Sequence, residues 1–358
     1  MLVLSYLAGG NDMRKTGCLV LVCCLLLALA GCSVPPSGEG STTGSATSTT
    51  AATEPPAGPS LPDRPIRPQE GNSALNIDSG SWAVEADGYA YFILGGKQIY
   101  RQSLSGGEVT LLLEDSRINK LDSLSIYDGW LYFTCMYFGG RMQGTTRMRT
   151  DGTGWEKIGQ STARFYLLDG VLTYEESVQE SGAQYRYFVT SLDPETGDTE
   201  QLLDLGVDNR GALVGAEDGI LYYTEAETGA LCRFSDGAVS RVETAGREVH
   251  SPRVYDGRVY FLSGEALLAA DFESGTIETV WEGAALSAFQ VTGGSLLTVD
   301  AAGELMLRDS AGPNGDRQLA VAAHNLNVWG DRIYYQADGD YYSVLSDGTD
   351  RREIRWAE

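Results

Sequence analysis

The chain has 358 residues, 42% of them hydrophobic, and a formal net charge of −23. That length allows one large or two ordinary domains. A surface this acidic argues against nucleic acid and against a basic patch for anionic lipid headgroups, suits a dispersed extracytoplasmic domain, and leaves cationic partners open.

The N-terminal stretch separates itself by composition. Leu19 to Ala30 is an apolar run preceded by Arg14-Lys15. About a dozen residues cannot cross a hydrocarbon layer of roughly 30 Å, so the run reads as the core of a signal peptide. Met13 offers an alternative start. Leu29-Ala30-Gly31-Cys32 follows, and it resembles the lipobox of bacterial lipoproteins. That resemblance implies a mature chain that begins at Cys32 and carries diacylglycerol on its sulfur. The alternative is an ordinary secretory signal that contains a cysteine. Loss of residues 1–31, whose net charge is +1 from Asp12, Arg14 and Lys15, takes the net charge from −23 to −24.

Residues 32–71 are rich in Ser, Thr, Gly, Ala and Pro, and eight of the eleven prolines lie before residue 70. They cannot build a core. They are expected to form a flexible tether, and roughly 40 such residues reach about 35 Å. Of the six cysteines, Cys18, Cys23 and Cys24 would leave with the signal peptide and Cys32 would take the lipid. Cys135 and Cys232 lie in apolar strands of different repeats and are expected to be buried free thiols, a disulfide between them being the alternative.

From about residue 80 a unit recurs: an apolar strand, an Asp-Gly turn or a substitute, and a strand carrying aromatic residues. The turn pairs are Asp87-Gly88, Asp128-Gly129, Asp169-Gly170, Asp218-Gly219, Asp256-Gly257, Gly293-Gly294 and, inverted, Gly330-Asp331. Their second residues are spaced by 41, 41, 49, 38, 37 and 37. Asp-Gly between apolar runs signals a tight hairpin, and a second turn in most copies, such as Asp151-Gly152 or Asp347-Gly348, leads to a more polar fourth strand. Four short strands repeated every forty or so residues predict an all-β fold, a β-propeller of seven four-stranded blades over residues 72–358, with six or eight as the alternatives. The last copy owns its fourth strand, Arg351 to Arg355, so the ring is expected to close by end-to-end packing, with Ala74 to Ile77 as an added edge strand or clasp.

The aromatic doublets Tyr91-Phe92, Tyr132-Phe133, Tyr222-Tyr223, Tyr260-Phe261 and Tyr334-Tyr335 occupy a fixed place in the second strand. They are read as blade-packing core rather than as a carbohydrate platform. Binding residues are expected on the face that carries the interblade linkers and the second-to-third loops, including Phe138 to Thr146 and Glu175 to Tyr185.

Gly71-Asn72, Asn76-Ile77 and Gly80 ahead of Asp87-Gly88-Tyr89-Ala90-Tyr91-Phe92 resemble a bacterial domain-of-unknown-function family, as does the closing Arg332-Ile333-Tyr334-Tyr335 with Ser346-Asp347-Gly348-Thr349-Asp350-Arg351-Arg352-Glu353-Ile354. Members of that family are often surface lipoproteins similar to the β-propeller of the low-density-lipoprotein receptor. Leu131-Tyr132-Phe133-Thr134 with Arg149-Thr150-Asp151-Gly152-Thr153-Gly154 is similar to the receptor repeat, although no copy has its Trp-Thr-Asp core intact. The resemblance implies a fold and an envelope location and carries no activity.

The two histidines, His250 and His324, each lie six residues before the first residue of their turn pair, at the head of an innermost strand. Asp122 is the equivalent residue of the second copy. With the neighbours Arg247, Glu248, Arg164 and Asn325, these residues are the candidate lining of a polar funnel at the channel mouth. A loop role for the histidines is the plainer alternative. Asp338-Gly339-Asp340 lacks the remaining ligands of a calcium loop, and no G-x-S-x-G, H-E-x-x-H, P-loop or Rossmann pattern occurs. The expectation is therefore a lipid-anchored, monomeric, non-enzymatic module at the extracytoplasmic side of the bacterial membrane. It would need no metal or other cofactor and would bind a protein, peptide or glycan. A propeller hydrolase or lyase acting on polysaccharide, and a scaffold subunit of an envelope complex, are the alternatives.

Overall fold

The computed structural model describes residues 72–356 except 141–143, 162, 169, 208–210, 293–294 and 309–314. The expected signal sequence, Cys32 and the tether lie outside the described residues, as do Asp169 and the Gly293-Gly294 pair.

The hairpin turns set the repeat. At Asp87-Gly88, Asp128-Gly129, Asp218-Gly219 and Asp256-Gly257 both residues take positive φ, 46 to 51° for the aspartates and 73 to 80° for the glycines. This is the conformation whose twist matches that of the flanking strands. The partners Ala86↔Tyr89, Tyr127↔Trp130, Glu217↔Ile220 and Tyr255↔Arg258 flank these two-residue loops directly. The inverted pair Gly330-Asp331 makes a loop of the same length between Trp329 and Arg332.

Seven four-stranded antiparallel sheets result, each built from four consecutive strands. Blades 1 to 7 span residues 83–113, 118–157, 165–207, 212–242, 250–282, 286–320 and 323–353. They form a ring, a seven-bladed β-propeller. The doublets pack between blades as expected: Tyr91, Phe92, Tyr132, Phe133, Tyr222, Tyr260, Phe261, Tyr334 and Tyr335 are all buried, and only Tyr223 is partly accessible. Cys135 and Cys232 are buried free thiols.

Among the described residues, no strand is shared across the closing seam. Asn327 of blade 7 accepts hydrogen bonds from the backbone amides of Trp82 (2.8 Å) and Ala83 (2.9 Å), and the indole of Trp329 donates to the Ala83 carbonyl at 3.0 Å. Trp82 meets Tyr334 edge-on at 6.2 Å between ring centroids. Closure by packing was the expectation, but the fourth strand of blade 7 is shorter than predicted, only Arg352–Glu353. Blade 3 departs the other way. Its second and third strands, Val171–Ser181 and Gln184–Leu192, continue as a paired ribbon through residues expected to be a loop.

The segment expected as an edge strand or clasp is a helix, Ala74–Asp78, capped by the Ser73 hydroxyl, which accepts from the Asn76 amide. Ala74, Leu75, Asn76 and Ile77 are buried. The reason is the partners these residues find. The Asn76 side chain donates to the Val328 carbonyl (2.9 Å) and accepts from the Val328 amide (2.7 Å) of blade 7. Asn72 reaches the Leu124 carbonyl of blade 2, and Gln290 of blade 6 donates to the Leu75 carbonyl at 3.1 Å. The helix also packs on the innermost strands of blades 3, 4 and 5. A segment that touches the innermost strands of six blades fills the central channel. At Gly215 of blade 4, an added Cβ would lie 2.7 Å from a methyl of Val254 in the innermost strand of blade 5, so the close approach of these two strands needs glycine.

Candidate functional site

The helix ends at one mouth of the channel and forms the floor of a cavity there. The cavity measures about 490 Å3, within the range usual for small-molecule sites. Asp78, Ser79 and Gly80 form the floor. Arg164 and Arg253 line it, Lys120, Asp122, His324, Asn325 and Gln336 stand around it, and Trp82, Ile93, Leu326 and Tyr341 supply apolar wall. This is the face from which the innermost strands start.

Local backbone geometry presents these side chains. The innermost strands of blades 2, 5 and 7 bulge immediately after Asp122, His250 and His324. The following residues, Ser123, Ser251 and Asn325, take φ of 60, 47 and 52°. Such bulges bend a strand and re-aim its side chains, and they gather next to sites.

Four of the seven residues predicted from the sequence line the cavity together: Asp122, Arg164, His324 and Asn325. Asp122 pairs with Lys120 at 2.6 Å and accepts from the Ser123 amide, and Asn325 donates to the Gln336 side chain at 2.9 Å. His324 lies 3.4 Å from the Ala322 carbonyl through Nδ1. The other three do not join. His250 pairs with Glu248 at 3.0 Å, both side chains largely exposed, and Arg247 donates to the Thr244 carbonyl. The funnel expected to hold both histidines therefore holds one. Blade 5 contributes Arg253 instead.

The chemistry is concentrated at the floor. Tyr166 donates to Asp78 at 3.3 Å and Arg164 approaches the same oxygen at 3.6 Å, while the other oxygen of Asp78 is buried without a hydrogen-bond partner among the described residues. Burial raises the Asp78 carboxyl to about 7, against the opposing pull of Arg253, Arg164 and Tyr166. Arg253 is 6% exposed, donates to the Phe289 carbonyl and stacks on the Phe289 ring at 4.8 Å, and its Nε has no partner among the described residues. Burial lowers the guanidinium to about 10.

Sequence reasoning counted six residues back from each turn and so missed the floor. Counting three back gives Val84, Ser125, Tyr166, Gly215, Arg253, Gln290 and Asn327. Each of them pairs with the equivalent second-strand residue: Tyr91, Tyr132, Thr173, Tyr222, Tyr260, Leu297 and Tyr334. Four of the seven, Ser125, Arg253, Gln290 and Asn327, are polar and buried, and Tyr166 adds a buried hydroxyl. Polar residues at that place in an otherwise apolar strand were the signal, because only a polar channel lining explains them. Among the described residues, no group of three or more His, Cys, Asp or Glu side chains is placed to hold a metal ion, and no helix is long and apolar enough to cross a membrane.

No protein-family model matches the sequence, and no curated protein matches it. Solved structures do match. They include a prolyl endopeptidase (TM-score 0.56, 12% identity, 80% of this chain and 50% of that one) and a puromycin-hydrolyzing peptidase of Mycobacterium tuberculosis (0.53, 14%, 85% and 57%). An acylaminoacyl peptidase of Pyrococcus horikoshii is a third (0.54, 11%, 80% and 54%). The chain thus spans 50 to 57% of the length of these proteins, and at such identities the likeness is one of fold. It corrects the expectation of a non-enzymatic chain: that expectation rested on missing catalytic motifs, and propellers similar to this one occur within peptidases.

Proposed function

We propose that this chain is a membrane-tethered binding module of the bacterial cell envelope whose propeller takes a protein, peptide or glycan ligand at the mouth formed by Asp122, Arg164, His324 and Asn325. The observation that carries this reading is the cavity itself: polar groups from blades 2, 3, 5 and 7 converge on one concave site of about 490 Å3. A rigid ring holds them at fixed distances, which favours recognition by lowering the ordering cost of binding. The resemblance to surface lipoproteins and the lipobox-like Leu29-Ala30-Gly31-Cys32 support the tethered arrangement, with residues 1–31 as signal, 32–71 as tether and 72–358 as the propeller domain.

Titration of the full chain with panels of peptides and oligosaccharides tests the binding site. Asp122→Ala is expected to weaken whatever ligand is found, and Asp151→Asn, on the opposite face, to leave it unchanged. A ligand indifferent to Asp122→Ala and Arg164→Gln would place binding away from the cavity. Fractionation tests the anchor, since Cys32→Ser should move the protein from membranes to the soluble fraction, and retention in membranes would refute lipidation.

A further inference from the structure

The floor of the cavity is cationic in a chain whose net charge is −23. Arg253 is almost wholly buried, forms no ion pair within 4 Å among the described residues, and leaves its Nε unpartnered. Arg164 keeps just over half of its side chain accessible and reaches only one oxygen of Asp78, at 3.6 Å. A buried guanidinium normally finds a carboxylate with which to form two parallel hydrogen bonds. Here the floor supplies two guanidinium groups and a single resident carboxylate, Asp78, which meets them poorly. The walls above, Trp82, Ile93, Leu326 and Tyr341, are apolar or aromatic.

From this juxtaposition we infer that the cavity takes a ligand with an α-carboxylate and an apolar side chain, its carboxylate set between Arg164 and Arg253, with Asp78 as the resident counter-ion that the ligand must replace. The inference rests on the proposed binding role and names the chemistry of its ligand. The same chemistry has two sources, the C-terminal residue of a peptide and a free acylated amino acid.

Replacement of Asp78 couples binding to protons. The charged and titratable groups facing Asp78 are the Arg164 guanidinium and the neutral Tyr166 phenol at the start of blade 3 and the Arg253 guanidinium of blade 5, with Lys120, Asp122 and His324 around the same cavity. With its carboxyl raised to about 7 by burial, Asp78 is mostly neutral at pH 6 and mostly ionised at pH 8. Only the neutral form leaves both arginines to the ligand. Apparent affinity should therefore fall about tenfold from pH 6 to pH 8, in proportion to the neutral fraction.

The probes are N-acetyl-phenylalanine, the peptide acetyl-Ala-Ala-Phe, the C-terminal amide of each, and glucuronate, titrated calorimetrically into the full chain. Both acids are expected to bind and both amides to fail, and the tighter acid identifies the source. Asp78→Asn should bind the acids about tenfold more tightly than the unaltered protein at pH 8 and lose the pH dependence. His324→Gln should keep that dependence. Arg164→Gln, altering a side chain half in solvent, should weaken the acids by about tenfold or more without unfolding the protein. Amides that bind as well as acids, acids that fail at millimolar concentration, or a pH dependence that survives Asp78→Asn would each overturn the inference. Glucuronate bound more tightly than either acid would do the same. If other peptides or glycans still bind and remain sensitive to Asp122→Ala, the binding role stands while the carboxylate inference falls.

Discussion

Two polar regions lie within the ring, and they are built to opposite rules. At the seam between blades 7 and 1, Asn327 accepts from two backbone amides and donates to the Leu326 carbonyl, and the neighbouring Asn76 side chain is satisfied on both its atoms. At the cavity floor Asp78 and Arg253 each retain a buried polar atom without a partner among the described residues, as does Gln290 in the channel lining. Four of the eight such atoms among the described residues, counting Ser125, belong to the channel lining. A satisfied buried network contributes to a unique fold, whereas an unsatisfied one is costly and persists where something else needs it. The difference separates the seam, whose buried polar atoms are satisfied, from the floor, whose are not, and it supports the binding site proposed there.

Substitutions sharpen that contrast. The largest effect is expected from Asn327→Leu, which strands the Trp82 and Ala83 amides in the closed seam. At about 1–3 kcal/mol for each unpaired group, the loss should be about 2–6 kcal/mol in chemical denaturation. A loss below 1 kcal/mol would mean that the seam does not depend on this residue.

Asp78→Asn should act in the opposite direction. A carboxyl raised to about 7 in the folded state holds its proton more tightly than in the unfolded chain, where the ordinary value is near 3.8. Stability is therefore favoured at low pH and declines as pH rises from about 4 to about 7, by up to ~4 kcal/mol when fully expressed. The amide removes that penalty. The variant should melt higher than the unaltered protein at pH 8 and equally at pH 4. An identical pH profile for both proteins would show that Asp78 ionises as easily in the fold as in water.

Gln290→Met tests a residue of mixed character. Its amide nitrogen serves the Leu75 carbonyl, the Ser79 hydroxyl and the Leu326 carbonyl, while its oxygen has no partner. Removal of both should cost about 1–2 kcal/mol, less than at the seam. The smallest effect belongs to Arg164→Gln. An exposed arginine contributes little to stability, so less than about 0.5 kcal/mol is expected, against a marked loss of ligand binding. A large loss of stability would make Arg164 a structural residue.

The ring was legible in the sequence because its period is written in turn chemistry. Asp-Gly at Asp87, Asp128, Asp218 and Asp256 permits few conformations, and a strand of Leu-Tyr-Phe type needs a buried place on both faces. The site was less legible. Residues 74–77 are expected from the sequence as an edge strand or clasp because helix propensity in so short a segment is weak, and what makes them helical is the set of acceptors and donors offered by distant strands. The bulges that aim Asp122 and His324 into the cavity but leave His250 with Glu248 have no signature in the sequence around them. Arg253, by contrast, was discoverable from its position in the repeat.

The channel helix also sets an order of events. Asn76 has a partner 252 residues later in the chain, at Val328, so the channel segment, which can already reach Leu124 of blade 2, completes its hydrogen bonds only after the last blade has emerged. Until then the core of the assembly has no centre, and contacts so far apart in sequence make completion slow and cooperative. A ribosome that stops before blade 7 would leave a chain with six blades' worth of strands and a channel helix without the Val328 partner of Asn76.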